Sequence, residues 1–553
     1  MLEFWILLQW IITVLLCLFT TNWVIQHVIL DAKRDLHPVA LTEQACTASV
    51  RKENETAVYR NILTPIGYPL SAGLSLSHGY QFRKGNFGDI WSTSMEVGKG
   101  NNRISFIDGH TSWTLGNINF KAKLLKNYFT EVKARNVGIV CSVATGPGFV
   151  SAIAGFMGTL ESCIPHFLPS IPRNNMDLDV LIVDSWNCAA KLNGSEDWYK
   201  TIIVCDDSAM PADLPGNVTS FYQLIHDMNA SDNKYEYEPT TSFDDDKELA
   251  RVTNHNRDTT TFMQHCLVSS VSNFIKLFPI NQELKNVDKL TIITEGMRSS
   301  QLMQTFIKVF GLLLFGGSIS YSSSNDLTQI DTHTTLLFLS ANNAGLRTML
   351  DVCPTGFNKL KLSWAMSLLS EGVFSTVAQS SCNFSKLRCV YILNEVKDSN
   401  LVSSFPLEIP ELKRNSVKRL TSRQLNVLRS LFGSRVVMEL YSPYTIMGPI
   451  AQGNMYDYRI FPQKVDEVFT CYGTLSTSLE GKLIYTNSNP TLMPSKRQGM
   501  LVVRGFTIGK PLDEQRLSRA LKLTAEFNGG EGWMPMVGVF GIWGTDGCFY
   551  EYK

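Results

Sequence analysis

The chain lacks an excess of either charge: 50 Lys and Arg balance 50 Asp and Glu. No global field therefore steers it toward nucleic acid or acidic substrates, and no nucleic-acid partner is expected. Its 12 cysteines contain no Cys-x-x-Cys pair, and no histidine stands beside them at zinc spacing. A metal site is not supported, and the thiols read as reduced and buried. Internal repeats are also missing. What remains is ordinary globular material, 44% hydrophobic and 10% aromatic over 553 residues, enough for one large core or several ordinary ones.

One stretch lacks charge altogether. From Phe4 to Leu30 there is no Asp, Glu, Lys or Arg, a run longer than the about 20 apolar residues that cross a bilayer. Trp5, Trp10 and Trp23 suit a membrane interface. A cleaved signal peptide, the alternative, needs a basic start and a shorter apolar core, and Glu3 is the only charge before this run. Lys33, Arg34, Arg51 and Lys52 follow the run and none precedes it. The positive-inside tendency then places the bulk of the chain in the cytosol. Sequons at Asn54, Asn193, Asn217, Asn229 and Asn383 are short patterns that recur by chance, and support a lumenal glycoprotein only weakly.

Beyond the anchor (1–30) the pattern is α/β. The expected divisions are a first α/β subdomain over 31–250, a second over 251–435 and a β-rich subdomain over 436–553. Val137–Val143, Val180–Val183 and Thr201–Cys205 read as buried parallel strands. Gly146-Pro147-Gly148 opens a helix running to Leu160, and Trp113-Thr114-Leu115 opens another. The polar, acidic run 229–248 reads as a loop or linker. Asp258 is expected to cap a helix over Thr259–Phe278. Helices are expected at Ser300–Phe315 and Thr421–Phe432, then a helix-poor last hundred residues with a strand at Val465–Tyr472, finishing in a small β-barrel.

Several patterns, in order, resemble one family. Ser112-Trp113-Thr114-Leu115 with its helix and Asn136–Val140 look like the opening of the adenylate-forming superfamily. Val252-Thr-Asn-His-Asn256 is similar to the segment that follows the family's phosphate loop. Gly316-Gly317-Ser318, Glu439-Leu440-Tyr441, Gln498–Gly505, Gly532-Trp533 and Asp546-Gly547 match later family landmarks. The order most resembles the long-chain acyl-CoA synthetases. That resemblance implies a large domain of stacked α/β sheets plus a β-barrel, ATP-dependent acyl-CoA formation using magnesium and CoA, and a cytosol-facing body.

The residues that such chemistry requires are depleted. The phosphate loop of the family corresponds to Pro239–Lys247, where Thr240, Thr241, Ser242 and Lys247 survive and both glycines are gone. Without glycine the backbone does not readily adopt the positive φ or close approach of a phosphate cradle. Asp244, Asp245 and Asp246 occupy the tip instead. A carboxylate about 4 Å from a phosphate repels it by about 1 to 4 kcal/mol. These aspartates read as a solvated acidic loop, with magnesium recruitment the functional alternative. In the adenine motif Tyr441 and Thr445 remain, and Ile446 stands where the resemblance implies a magnesium-binding Glu. Between Glu531 and Asp546 no acidic residue exists, and the ribose-binding Asp would fall near Gly538. The resemblance also implies a small C-terminal domain that carries the family's catalytic Lys, and with the sequence reaching Lys553 that domain is expected to be absent.

The expectation is therefore a membrane-anchored, acyl-CoA synthetase-like pseudoenzyme on the endoplasmic reticulum or a lipid droplet. It would bind a fatty acid, an acyl lipid or a protein partner in lipid metabolism, with no catalytic residue, no metal and no cofactor. Thr240, Thr241, Ser242, Lys247, Tyr441 and Thr445 are then remnants of a nucleotide site. The alternative is an active long-chain fatty acid–CoA ligase using ATP, magnesium and CoA. Val150–Leu160 and Phe306–Phe315 read as plain core, or as the border of a former acyl tunnel.

Overall fold

The computed structural model describes all residues except 1, 50, 79–80, 108–111, 193, 210, 212–214, 226–228, 240–241, 352–353, 397–410, 412–418 and 527–531. The uncharged N-terminus forms a helix, Leu2–Val24, continued through Ile25–Leu30 and Asp31–Lys33. None of its apolar window is buried against the body, and it is long and apolar enough to cross a membrane. Of the sequons, Asn193 lies outside the described residues, whereas Asn217 and Asn383 donate their amides to backbone carbonyls.

Among the described residues the body is built on three large sheets, with a separate two-stranded one of Leu76–His78 and Gln81–Arg83. The first has eight strands in the order Val218–Ser220, Thr201–Val204, Val180–Val183, Asn136–Ile139, Ile164–Phe167, Glu248–Thr253, Thr259–Met263, Lys510–Pro511. It is parallel as far as Glu248–Thr253 and antiparallel beyond. The second has nine strands, with a parallel centre of Arg435–Tyr441, Cys389–Glu395, Leu336–Ser340, Lys289–Ile293 and Ser318–Ser322. Parallel strands need both faces covered, and the side chains alternate accordingly. Val180, Ile182 and Ile203 face the largest core, while Leu181, Val183, Ile202 and Val204 face a satellite core on the other side. Leu336, Phe338 and Tyr391 face that same largest core, and Leu337, Leu339 and Ile392 a third. The inner faces of both sheets thus share one core, with helices Phe87–Gly98, Gly146–Gly158, Gln264–Lys276 and Phe306–Leu313 contributing to it.

The third sheet has seven antiparallel strands. It replaces the expected barrel with an open ladder: Ala45–Thr47 and Phe469–Cys471 stand at opposite edges. The early strands Ala45–Thr47 and Tyr59–Asn61 therefore belong to the sheet formed by the C-terminal residues. Arg103–Ser105 and Ser112–Thr114 likewise join the second sheet, not the first.

Local chemistry explains where elements begin. Thr114 caps helix Leu115–Glu131 and Thr421 caps Ser422–Phe432, each in a reciprocal capping box. Gly148 lies so close to the Ser142 carbonyl that any Cβ there would clash. Three expectations fail. Thr259–Met263 is a strand, not a helix, because β-branched residues follow a tight turn in which the Asn254 side chain accepts from Asn256 and Asp258. Helix Gln264–Lys276 starts only after it. Val465–Tyr472 is a short helix, Gln463–Val468, followed by strand Phe469–Cys471; Pro462 precedes the helix and Gln463 bonds Glu467 one turn on. The last hundred residues do contain a helix, Glu514–Glu526, whose start is bonded to the Asp513 carboxylate. The segment 229–239 is a loop, as expected, and it is held to the body: Lys123 pairs with Asp232, and Asn119 donates to the carbonyls of Asp232 and Lys234.

Candidate functional site

Thr240 and Thr241 lie outside the described residues, and Ser242 opens a single 3₁₀ turn, Ser242–Asp246, ahead of strand Glu248–Thr253. The expected solvated tip is not what the structure has. Asp244 and Asp245 are buried, at 4% and 3% exposure. Asp245 Oδ1 lies 2.6 Å from the Arg83 guanidinium and accepts from Asn86 Nδ2 at 3.1 Å. Its Oδ2 accepts from the Gly85 N–H at 3.1 Å. Asp244 pairs with Lys247 at 2.8 Å. Only Asp246 is exposed, beside Lys84 and His265. The physical reason is that Arg83, itself buried, needs counter-charge. Burial works against the Arg83 charge, and Asp89 and Asp245 outweigh it, leaving that guanidinium above its ordinary pKa.

This loop therefore holds an internal anion: a carboxylate receives an arginine, an amide and a backbone N–H. Lys247 is spent locally too, donating to the Leu160 carbonyl at 2.8 Å. Asp245→Ala is expected to lower the unfolding free energy by about 3 kcal/mol, since Asp89 only partly compensates a stranded Arg83. Asp246→Ala should cost under about 0.5 kcal/mol. Urea midpoints of the two variants measure the contrast; equal values would refute it.

The adenine-motif residues lie in solid core. Tyr441 is fully buried, and its hydroxyl donates to Glu439 Oε2 at 3.0 Å. Glu439 in turn takes Lys308 at 2.7 Å. Glu439 is thus a fully buried carboxylate shared by Tyr441 and Lys308. Thr445 is buried against Ser442, its carbonyl accepting from the Gly509 N–H. Ile446 bridges Ile508 with no exposure. Gln304 clamps this turn, donating to Pro443 and Ile446 carbonyls and accepting from Gly448 N–H. Gly538 has φ +87° within strand Met534–Trp543, flanked by the buried Val537 and Val539, and Glu531 lies outside the described residues. A left-handed φ explains why glycine stands there. Asp546 accepts from Tyr550 and pairs with Arg459 at 2.8 Å, a buried structural carboxylate as well as a turn residue.

The two segments weighed as a tunnel border pack on each other. Phe156 meets Phe306 at 5.3 Å and Phe149 meets Phe306 at 5.4 Å between ring centroids, and all three rings are buried. They are core.

Open space lies elsewhere: one cavity of about 920 Å³ is lined by Ser92, Glu96 and residues 233–238, and others lie beyond the carboxyl ends of the parallel strands of both sheets, where α/β folds bind ligands. A cavity of about 250 Å³ is lined by Phe167, Thr253, His255, Arg298, Ser300 and Tyr444, among others. A second, of about 340 Å³, shares Leu168, Pro169, Thr253 and His255 and adds Arg173 and Arg257. A third, of about 790 Å³, continues along Pro169–Arg173 to Asp184, Lys191 and Trp198. These lining residues come from at least five separate chain segments. Those holding His255 and Tyr444 lie in stretches that resemble family landmarks; the arginines carry no local signature. The described residues contain no group of three or more His, Cys, Asp or Glu arranged to hold a metal.

No protein-family model matches the chain. The uncharacterized protein YHR045W of Saccharomyces cerevisiae is 47% identical over 560 residues, covering 99% of each chain. The chain belongs to the YHR045W family. Among solved structures, similarity is to the luciferase-like enzyme of the mealworm Zophobas morio (TM-score 0.54, 12% identity, 87% of this chain and 98% of that one). It extends to the amide bond synthetase McbA of Marinactinospora thermotolerans (0.53, 14%, 84% and 78%). The N-terminal domain of FACL13 from Mycobacterium tuberculosis is similar too (0.51, 11%, 85% and 100%). At such identities these likenesses establish the fold, which is that of adenylate-forming enzymes.

Proposed function

We propose that this member of the YHR045W family is a membrane-anchored pseudoenzyme of the acyl-CoA synthetase type. It binds a fatty acid or acyl lipid, or scaffolds a partner enzyme in lipid metabolism, on the cytosolic side of the endoplasmic reticulum or a lipid droplet. The observation that carries the reading is the closed loop: Asp245 already occupies the cluster of donors offered by Arg83, Gly85 and Asn86. A triphosphate would have to displace a buried ion pair, and Ile446 offers magnesium no oxygen. The cleft retains Arg173, Arg257, Arg298 and His255, which suit the acidic headgroup of a lipid.

The expected result is no saturable, magnesium-dependent ATP binding by the detergent-solubilised full chain in a titration reaching millimolar nucleotide. Micromolar affinity would overturn the proposal. The persistence of a cleft at the strand ends favours a second reading, an active fatty acid–CoA ligase. Steady ATP–pyrophosphate exchange with a fatty acid panel, abolished by Lys247→Ala, would establish that one instead.

A further inference from the structure

The helix Gly356–Ser370 is amphipathic in an unusual sense. Its inward face, Ala365 and Leu369, packs on the body. Its outward face carries Phe357, Leu360 and Trp364, exposed to 70%, 66% and 62%. These residues are spaced i, i+3, i+7 and so form one stripe along a single side of the helix. Lys359 and Lys361 flank the stripe, and the helix contains no acidic residue. Exposed large apolar side chains are ordinary when scattered. Three in line, bordered by lysines, form a surface that water solvates poorly.

The position of this helix says what covers it. The anchor helix ends at Lys33. The next residue, Arg34, donates through Nε to the carbonyl of Glu371 at 2.7 Å and faces its carboxylate at 3.5 Å. The following N–H, of Asp35, donates to the Gly372 carbonyl at 3.2 Å. The Asp35 carboxylate then takes Arg435 at 3.0 Å and the Tyr458 hydroxyl. Glu371 and Gly372 are the two residues immediately after helix Gly356–Ser370. The point where the chain leaves the anchor is therefore stitched to the end of the helix bearing the exposed stripe. Fifteen helical residues extend about 22 Å from that point.

We infer that helix Gly356–Ser370 is a second membrane contact: it lies in the lipid interface beside the anchor, with Phe357, Leu360 and Trp364 among the acyl chains and Lys359 and Lys361 at anionic headgroups. The chemistry is that of an interfacial helix, an apolar face with cationic flanks, and Lys33 adds to the same basic rim. Two contacts fix the body against the bilayer, where one helix alone would leave it free to pivot. The cleft then keeps a constant orientation toward the lipid surface. The inference rests on reading residues 4–30 as a membrane span.

The test uses the full chain reconstituted in phosphatidylcholine vesicles, with and without phosphatidylserine. A carbene probe that partitions into acyl chains is photoactivated, and labelled peptides are mapped by mass spectrometry. Label is expected in residues 4–30 and in the peptide containing Phe357–Trp364, more strongly with phosphatidylserine present. The peptide holding Ile280 and Val287, also exposed and apolar, should stay at background and serves as the control. In Leu360→Asp/Trp364→Asp the helix label should fall about tenfold relative to the anchor label, the ratio that a loss of about 1.4 kcal/mol of burial implies. A labelled anchor with an unlabelled helix overturns the inference alone. An unlabelled anchor overturns the span reading, and the inference with it. A helix unlabelled from lipid yet protected from a water-soluble carbene would mean that a protein or a second copy covers it, which also overturns the inference.

Discussion

Glu439→Ala is expected to destabilise the protein by about 3–5 kcal/mol, the cost of stranding a buried charge. Lys308 is 1% exposed and Glu439 is fully buried, 2.7 Å apart in the core shared by the two α/β sheets. The Lys308 ammonium lies 4.0 Å from the ring centroid of Tyr391 and 4.6 Å from that of Phe274, which soften its desolvation without neutralising it. Burial pushes the Lys308 pKa down and Glu439 pulls against it. Burial pushes Tyr441 well up, and the same carboxylate adds to that shift. Removing Glu439 leaves an ammonium and a phenol without their acceptor. The triple variant Lys308→Met/Glu439→Leu/Tyr441→Phe should recover most of the loss, because well-packed apolar side chains replace buried ion pairs at little cost. Urea midpoints of the solubilised protein measure both; a loss under about 1 kcal/mol for Glu439→Ala, as for an exposed pair, would refute the account.

The second large effect is on acid stability. His166 sits in strand Ile164–Phe167 at 3% exposure. Arg251 approaches its Nε2 at 3.1 Å, which makes that nitrogen an acceptor and the ring neutral. Burial first, and the Arg251 charge second, hold its pKa down at about 3. The folded state thus refuses a proton that the unfolded chain accepts at about pH 6.5. This contribution is complete above that value and is lost as pH falls toward about 3, at up to about 1.4 kcal/mol per pH unit. His166→Gln keeps an acceptor for Arg251 and should flatten the decline between neutral and acidic pH. Parallel declines in variant and parent would show that His166 is not the responsible group.

Much of the architecture is legible locally because caps and buried runs act locally. Thr114 and Thr421 announce their helices, and the all-apolar Val180–Val183 announces a strand covered on both faces. Asp258 misleads because the cap signal and the turn signal are the same residue type. Only pairing with Glu248–Thr253 decides that Thr259–Met263 is extended. Asp513 ahead of a run rich in Leu, Arg and Lys was a readable start for helix Glu514–Glu526. The site was less legible. Asp245 in an acidic run reads as solvated because its partners, Arg83 and Asn86, lie some 160 residues earlier. Lys308 hides inside an apolar segment for the same reason. Arg173 and Arg257 line one cavity, and Arg298 the adjoining one, only because strand ends from two sheets converge.

The seven-stranded sheet has a consequence for biosynthesis. Ala45–Thr47 and Tyr59–Asn61 emerge from the ribosome soon after the apolar N-terminal helix, yet Leu479–Ile484, the strand that receives them, is translated more than four hundred residues later. Throughout that interval the early hairpin waits with an unpaired edge, the kind of surface that invites wrong partners. Pairing of these strands therefore waits until late in synthesis, and chains truncated before residue 479 should be chaperone substrates rather than stable fragments.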